Sequence, residues 1–245
     1  MDHDDTPIGR VLTRREVLAL LGASSAALLV GPTVDRRREA GDRILRPACV
    51  VRPEQTEGPY FVDERLNRPD IRSDPSAGVI KPGVPLALVL TISRIRGTTC
   101  TPLEGAQVDV WHCDAQGVYS DVTDPRFRTV GQRFLRGYQV TDAAGSARFT
   151  TIYPGWYPSR TVHIHFKIRT TSGSARGYAF TSQLYFDDAL SDRIHALAPY
   201  AVKGRRALRN SDDRIFRDGG EQLMLAPTAV RDGYAASFDV GLQID

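Results

Sequence analysis

Two histidines one residue apart are the first feature of this sequence that could do chemistry. His163 and His165 lie in WYPSRTVHIHFKI, residues 156–168, where apolar side chains occupy alternate positions from Val162 onward. Because alternate side chains of a strand share one face, both imidazoles are predicted to face away from the apolar core, together. A lone inward histidine is usually a hydrogen-bonded core residue, whereas two on one strand face can reach the same metal ion. The spacing therefore indicates a metal site without naming the metal.

Further ligands for such a metal could come from two kinds of residue. A carboxylate would complete a two-histidine, one-carboxylate ferrous site, and the nearest candidates are Asp109 in QVDVW and Asp142 in the turn TDAAG. Tyrosines are better placed, because Tyr157 follows the stiff turn at 154–156 and Tyr119 follows the hairpin-like turn of WHCDAQGVYSD. Taken singly, each tyrosine is better interpreted as a partly buried phenol with a hydrogen-bond partner.

Short strands separated by turns must position these residues. The strand patterns cover Leu86–Ser93, Gln107–Cys113, Phe134–Val140, Ala147–Ile152, Val162–Ile168, Tyr178–Phe186 and Ala236–Ile244. Turn-forming pairs such as Pro82-Gly83 and Glu104-Gly105 stand between them. This organisation predicts an all-β chain, with a single-domain β-sandwich or barrel over residues 45–245. Helical structure is expected only as short turns in loops, chiefly over Ser191–Arg209.

Composition limits the classes of protein that need to be considered. The chain has 245 residues, of which 41% are hydrophobic, enough for a sizeable core. Charged residues make up 25% and the formal net charge is +3. Since no basic run is interleaved with aromatic residues, nothing indicates binding to nucleic acid.

The N-terminal segment, residues 1–44, has the pattern of an export signal followed by a flexible tether. Arg14-Arg15 precedes an apolar, small-residue run from Val17 to Gly31, which is fifteen residues long. That run is shorter than the ~20 residues that a membrane-spanning helix needs, so no stable membrane span is expected in the mature protein. The arrangement resembles a twin-arginine signal, which predicts a periplasmic or extracellular location. An amphipathic or buried N-terminal helix is the alternative.

The sequence has three cysteines, Cys49, Cys100 and Cys113, and none has the spacing of a zinc site. In an exported protein an odd number indicates one disulfide and one free thiol. We expect Cys49 and Cys100 to be bridged, with Cys113 as a buried thiol that packs like a small apolar residue.

Several longer segments resemble one known family. GAQVDVWHCDAQGVYSD, FLRGYQVTDAAGSARFTTIYPGWYPSRTVHIHFKI and EQTEGPYF are similar, in order and in register, to the intradiol ring-cleavage dioxygenases. That family includes catechol 1,2-dioxygenases and protocatechuate 3,4-dioxygenases. The resemblance covers most of residues 49–187, and the chain looks like a secreted relative of the protocatechuate 3,4-dioxygenase β chain.

The resemblance implies a β-sandwich that holds one mononuclear, non-haem Fe(III). The metal ligands that it implies are Tyr119, Tyr157, His163 and His165. It also places an arginine that stabilises negative charge at Arg160 and a glutamine that orients Arg160 or the substrate at Gln183, and it puts Tyr60 at the substrate mouth. The substrates implied are a catechol-type diol and O2, and the chain could form a homo-oligomer.

The chemistry of these residue types suits that task. A trivalent cation lowers the pKa of a phenol, ordinarily about 10, far enough for it to bind as phenolate. Two phenolates and one hydroxide balance Fe(III), and a catechol dianion can replace the hydroxide and one phenolate, which the resemblance implies is Tyr157. Both oxygen atoms of O2 then enter the product, a cis,cis-muconate, after cleavage between the two hydroxylated carbons.

A second class of function stays open at this point. The pattern GAQVDVW…DAAGSARF is also typical of exported transthyretin-like or carbohydrate-binding sandwiches without catalysis, which would not need the two tyrosines and two histidines together. Among the remaining histidines, we interpret His112 as structural, and we expect His3 and His195 at the surface.

Overall fold

Two β-sheets packed on each other form the frame of the protein, in a computed structural model that describes residues 50–170 and 177–244. The strands are β1 (Pro85–Arg96), β2 (Thr99–Pro102), β3 (Gln107–Trp111), β4 (Thr123–Asp124), β5 (Phe127–Arg128), β6 (Arg136–Val140), β7 (Ser146–Ile152), β8 (His163–Thr170), β9 (Tyr178–Tyr185), β10 (Thr228–Val230) and β11 (Gly233–Gln243). The helices are α1 (Asp188–His195) and α2 (Arg214–Arg217), with 3-10 turns at Tyr200–Lys203, Asn210–Asp212 and Gly220–Leu223.

The first sheet is organised around the long strand β1. Its order is β10-β11-β1-β2, with β7 also paired to β1. Strand β11 runs parallel to β1, while β2 and β7 are antiparallel to it. Alternate residues of β1, namely Leu86, Leu88, Leu90 and Ile92, are 0–1% exposed. This is the period-two pattern of a strand with one face on the core.

The second sheet carries the two histidines. Its order is β6-β3-β8-β9, and every neighbouring pair is antiparallel. Ile164, Phe166 and Ile168 of β8 are fully buried and belong to the same hydrophobic cluster as the inward residues of β1. Because one cluster draws on both sheets, the two sheets form a sandwich whose core lies between them.

The predicted fold class is confirmed. Each of the seven strand patterns corresponds to a strand, β1, β3, β6, β7, β8, β9 or β11. The short strands β2, β4, β5 and β10 were not predicted, because two to four residues carry too little periodicity. Within residues 50–170 and 177–244, helical structure is confined to short segments after β9, as expected.

The cysteines agree with the predicted arrangement as far as the described residues reach. Cys100 is disulfide-bonded and Cys113 is a buried free thiol. The predicted partner, Cys49, lies outside the described residues, as do the export signal and its tether. Over residues 50–170 and 177–244, no helix combines the length and apolar character needed to cross a bilayer.

Candidate metal centre

The register of the second sheet places the two histidines on one face near the start of β8. His163 lies opposite Tyr185 of β9, and His165 lies between Trp111 of β3 and Gln183 of β9. Directly opposite residues of antiparallel strands share a face, so these side chains form one polar and aromatic surface away from the core. Both imidazoles are 2% exposed, and their Nε2 atoms are 3.0 Å apart.

Hydrogen bonding at the other ring nitrogen directs His163 toward this centre. Its Nδ1 lies 2.6 Å from the carbonyl oxygen of Thr161. A carbonyl oxygen can only accept, so Nδ1 carries the proton and Nε2 of a neutral ring keeps a free lone pair. The ring of His165 is instead oriented by stacking on Trp111, with centroids 5.0 Å apart and planes 9° apart. Burial lowers the pKa of both imidazoles well below its ordinary value, which keeps them neutral.

Two loops bring the predicted tyrosines to the same place. Tyr157, after the turn at 154–156, puts its hydroxyl 3.1 Å from His163 Nε2. Tyr119, after the turn at 115–117, puts its hydroxyl 3.5 Å from the same nitrogen. Burial raises the pKa of both phenols above its ordinary value. Neither phenol would ionise near neutral pH without a cation close by.

The four side chains fit a metal ion by distance and by chemistry. Two ligands bound at ~2.1 Å and at about 90° around one ion lie ~3 Å from each other, and the His163 and His165 Nε2 atoms are 3.0 Å apart. Throughout the part of the chain that is described, no three His, Cys, Asp or Glu side chains form a group that could hold a metal. A metal in this centre would therefore need Tyr119 and Tyr157, and phenolates are hard anions that suit a trivalent cation.

Arg160 is a charged side chain that lies beside this centre. It is 7% exposed, and its Nη1 lies 3.5 Å from His163 Nε2. The Nε donates to Asp213 Oδ2 at 2.9 Å and Nη2 donates to Gln183 Oε1 at 2.5 Å. Burial alone would lower the pKa of Arg160, but Tyr157 and Asp213 raise it overall. The guanidinium is thus a fixed positive charge directed at the centre.

Gln183 is held from both ends of its amide. Its Oε1 accepts from Arg160 and from the Tyr185 hydroxyl, the latter at 3.1 Å, and its Nε2 donates to the Thr56 carbonyl at 3.0 Å. The side chain is completely buried. Gln183 consequently orients Arg160. Through its bond to the Thr56 carbonyl, it also holds that part of the backbone beside the site.

Asp213 was not predicted, although it is the ion-pair partner of Arg160. It is 1% exposed and caps α2, with Oδ1 accepting from the backbone N–H groups of Ile215 and Phe216. Its Oδ2 accepts from Arg160 and from the backbone N–H of Thr161 at 2.8 Å. An aspartate before a helix is an ordinary N-cap signal, so nothing in the pattern connects it with a site about fifty residues earlier.

Tyr60 lies beside the tyrosine pair. Its ring stacks on that of Tyr119 with centroids 4.5 Å apart, and it meets Tyr157 edge-on at 6.2 Å. The hydroxyl donates to Asp124 Oδ2 at 2.6 Å. Burial and the bond to Asp124 raise the pKa of this half-buried phenol to about 12, so it is neutral. This is a position from which Tyr60 could contact a ligand of the centre.

Two other histidines lie away from the centre. His112 is buried, with Nδ1 bonded to the Cys113 carbonyl at 2.8 Å and Nε2 to the Thr151 hydroxyl at 2.7 Å, as a structural histidine would be. The expectation that His195 lies at the surface is wrong. It is 6% exposed, its Nε2 lies 3.0 Å from the Pro154 carbonyl, and its ring stacks on Tyr200. The polarity of histidine suggested exposure, whereas the ring fills a packed site and donates one bond. His3 lies outside the described residues.

Comparison with known protein families gives a match over the segments that build this centre. The family described as "Dioxygenase" matches residues 56–214. The β chain of protocatechuate 3,4-dioxygenase from Burkholderia cepacia is 32% identical over 152 residues, which is 57% of this chain and 63% of that protein. Catechol 1,2-dioxygenase from Candida albicans is 28% identical over 170 residues, 60% of this chain and 50% of that protein. The match thus spans about half to two thirds of these curated relatives.

Solved structures give the same result for the fold. An intradiol ring-cleavage dioxygenase from Tetranychus urticae superimposes with a TM-score of 0.69 at 31% identity, over 80% of this chain and 95% of that chain. The dioxygenase domain of a dioxygenase and carbohydrate-binding fusion protein from Streptomyces sp. SirexAA-E superimposes with a TM-score of 0.56 at 29% identity, over 80% of this chain and all of that chain.

Proposed function

The chain belongs to the intradiol ring-cleavage dioxygenases, and from this we propose that it cleaves a catechol-type diol between its two hydroxylated carbons. Both atoms of one O2 molecule enter the product, a cis,cis-muconate-type diacid, so the product is the diol plus O2 with no atom lost. O2 is the oxidant and the ring carbons are oxidised, and no further reductant is needed.

One observation carries this proposal. The donor atoms of Tyr119, Tyr157 and His165 all lie within 3.5 Å of His163 Nε2, in a site that is almost closed to solvent. Packing alone gives no reason to bury two imidazoles and two phenols around one point. In the proposal these four side chains hold a mononuclear ferric ion.

Held by Tyr119, Tyr157, His163 and His165, Fe(III) would supply the Lewis acidity that makes a diol ring reactive toward O2. The protein groups supply charge and orientation around it. Arg160 Nη1 lies next to the ligand atoms, where it stabilises negative charge on the diol and on the oxygens added to its ring. Gln183 and Asp213 prevent the guanidinium from turning away, because each holds a different nitrogen of it.

Tyr157 is the phenol that makes room for the diol. It is 9% exposed, whereas Tyr119 is 1% exposed, so Tyr157 has solvent on one side and Tyr119 does not. Rotation of Tyr157 toward that side opens a place at the centre, and its phenolate can take a proton from the incoming diol. Tyr60 forms the adjacent wall through its stacked ring.

Iron loading and product analysis test this function together. The purified protein is expected to bind one iron and to show the red-brown tyrosinate-to-Fe(III) absorption. With isotopically labelled O2, the acid formed from catechol should gain two labelled atoms. A folded protein that takes up no iron, or that binds a catechol and releases it uncleaved in air, would contradict the proposal and favour a non-catalytic binding module.

The diol itself is best identified by O2 uptake across catechol, hydroxyquinol, protocatechuate and larger catechols. The family relationship supports the first three, since similar proteins include enzymes named for catechol, hydroxyquinol and protocatechuate. A single member with a kcat/KM well above the others would define the substrate. Light scattering of the same preparation would show whether the protein is a homo-oligomer.

Export through the twin-arginine machinery is also proposed. Arg14-Arg15 and the apolar run that follows support it, and so does the disulfide at Cys100, because disulfides persist in oxidising compartments. Exchange of both arginines for lysine should retain the protein in the cytoplasm of a bacterial host while leaving its folding unchanged. An exported double-lysine variant would show that this signal is not used.

A further inference from the structure

Lys203 makes an unusual pair of contacts outside the four-residue centre. It ends the 3-10 turn Tyr200–Lys203, and its half-buried ammonium donates to two backbone carbonyls. One is the carbonyl of Trp156, at 2.6 Å, and the other is the carbonyl of Gln116. The ammonium also lies 4.7 Å from the centroid of the Trp156 ring.

These two carbonyls belong to the two loops that carry the tyrosines. Trp156 directly precedes Tyr157, and Gln116 stands three residues before Tyr119. A single side chain therefore bonds to the backbone of both tyrosine loops. Each loop approaches the centre from a different part of the chain, so the separation of the two phenols depends on how the loops are held together.

Close backbone packing leaves little room for either loop to shift. Gly117 adopts φ +75°, and a Cβ added there would collide with the Trp156 carbonyl oxygen and with Lys203 Nζ. A Cβ at Gly155 would lie 2.6 Å from the Ala115 carbonyl oxygen, also a collision. The ammonium thus lies beside a region where the backbones of the two loops are in close contact.

The segment that carries Lys203 makes further bonds to the same two loops. His195 Nε2 lies 3.0 Å from the Pro154 carbonyl, before Tyr157. Gln116 Nε2 donates to the Pro199 carbonyl at 2.7 Å, before Tyr119. The stretch from His195 to Lys203 consequently supports both loops from outside, and Lys203 is the residue of that stretch that bonds to both.

We propose that Lys203 is a positioning residue of the metal centre, which ties the Tyr119 loop to the Tyr157 loop and sets the spacing of their phenols. The inference rests on the proposed function, in which those phenols bind the metal. An ammonium suits this role because it has three donors and no acceptor, and because charge-assisted hydrogen bonds are stronger than neutral ones. The ammonium also lies over the Trp156 ring, where a cation is attracted to the face of the indole.

The test compares Lys203→Met with the unaltered full-length protein after iron loading. Met keeps the length and apolar stem but removes every donor. We expect the variant to load iron, to show a shifted tyrosinate absorption, and to lose iron to an excess of chelator about tenfold faster, which corresponds to ~1.4 kcal/mol. Lys203→Gln keeps neutral donors, so its absorption and its rate of iron loss are expected to lie between those of Lys203→Met and the unaltered protein. It serves as the second variant if Lys203→Met does not fold.

Ile194→Val is the matched control. Ile194 is a buried residue of α1 in the main hydrophobic cluster, directly before the stretch from His195 to Lys203. Shortening its side chain destabilises this part of the fold without removing a bond to either loop. It should leave the absorption and iron loss unchanged. If both variants changed the absorption and the iron loss equally, or if Lys203→Met changed neither, the positioning role of Lys203 would be overturned. The proposed function would not be affected by that result. A folded wild-type protein without iron would overturn the proposed function as well.

Discussion

Arg160 and Asp213 form a buried ion pair in which the guanidinium Nε lies 2.9 Å from Oδ2, with side chains 8% and 1% exposed. The carboxylate is held in turn by the backbone N–H groups at the start of α2. Because Arg160 Nη1 points to the centre, the position of its charge depends on a helix cap about fifty residues later in the chain. The pair connects the sandwich to the segment that follows β9.

Asp213→Asn is expected to reduce activity through Arg160. The amide can still cap α2, but it leaves the guanidinium without its buried counter-charge. We expect kcat/KM to fall about 10- to 100-fold, the usual range for loss of a residue that orients a site, and unfolding to require ~3 kcal/mol less. Steady-state O2 uptake and urea unfolding of the iron-loaded variant would measure both effects.

Asp192→Asn is the control for that substitution. Asp192 pairs with Arg206 and Arg209 on the outer side of α1, and its side chain is 42% exposed. A pair this exposed contributes at most about 1 kcal/mol, so activity should be unaffected. If Asp213→Asn loses stability but retains full kcat/KM, the aspartate is a helix cap and does not position Arg160.

Tyr157→Phe should change the colour of the iron-loaded protein. The substitution removes one phenol oxygen while keeping the ring, so the tyrosinate absorption is expected to shift and weaken, and iron to be held less tightly. Tyr153→Phe is the matched control, because the Tyr153 hydroxyl is also buried but bonds to Ser191 at 2.7 Å, away from the centre. An unchanged spectrum in Tyr157→Phe, measured by visible absorption and iron content, would remove Tyr157 from the ligand set.

Periodicity in the sequence predicted the parts of the molecule that depend on local pattern. The alternation of β1 and β8 fixed which residues of each strand face the core, and it placed His163 and His165 on the opposite face. Tyr119 and Tyr157 were candidate ligands from their turns, and the resemblance made them the implied ligands and added Arg160 and Gln183. The structure brings Tyr119, Tyr157 and Arg160 to His163 Nε2, and Gln183 bonds to Arg160.

Contacts between distant segments were not predictable in the same way. Asp213, Lys203 and His195 each lie in short helical or irregular segments without a strong period, and each acts through hydrogen bonds to residues far away in sequence. Polar side chains in such segments are ordinarily solvated; His195 was expected at the surface, and no role was predicted for Asp213 or Lys203. The roles of these three residues become visible only in their contacts with Arg160 and with the tyrosine loops.

The cysteines allow a chemical test of the disulfide. Burial raises the pKa of the Cys113 thiol to about 12, and thiols react as thiolates. An alkylating reagent should therefore leave the native protein unmodified, modify one thiol after unfolding, and modify three after unfolding and reduction. Mass spectrometry of the full-length chain would count them. Three modified thiols without reductant would exclude the expected Cys49–Cys100 bridge.

His112 predicts how stability depends on pH. Burial lowers its pKa from 6.5 to about 4 in the folded protein, so below about pH 6.5 the unfolded chain binds a proton that the folded chain does not. The free energy of unfolding therefore decreases as the pH falls below 6.5, by about 3 kcal/mol at pH 4. Above pH 6.5 both states leave the ring neutral, and His112 contributes no dependence.

His112→Gln separates this effect from that of the other titrating groups. Glutamine cannot gain the proton, so the variant's free energy of unfolding should fall by about 3 kcal/mol less than the wild type's between pH 7 and pH 4. The variant is expected to be less stable at pH 7, because its amide cannot reproduce both bonds, to Cys113 and to Thr151. Urea unfolding at a series of pH values measures the two slopes. Parallel slopes would show that His112 takes up its proton in the folded protein as readily as in the unfolded chain.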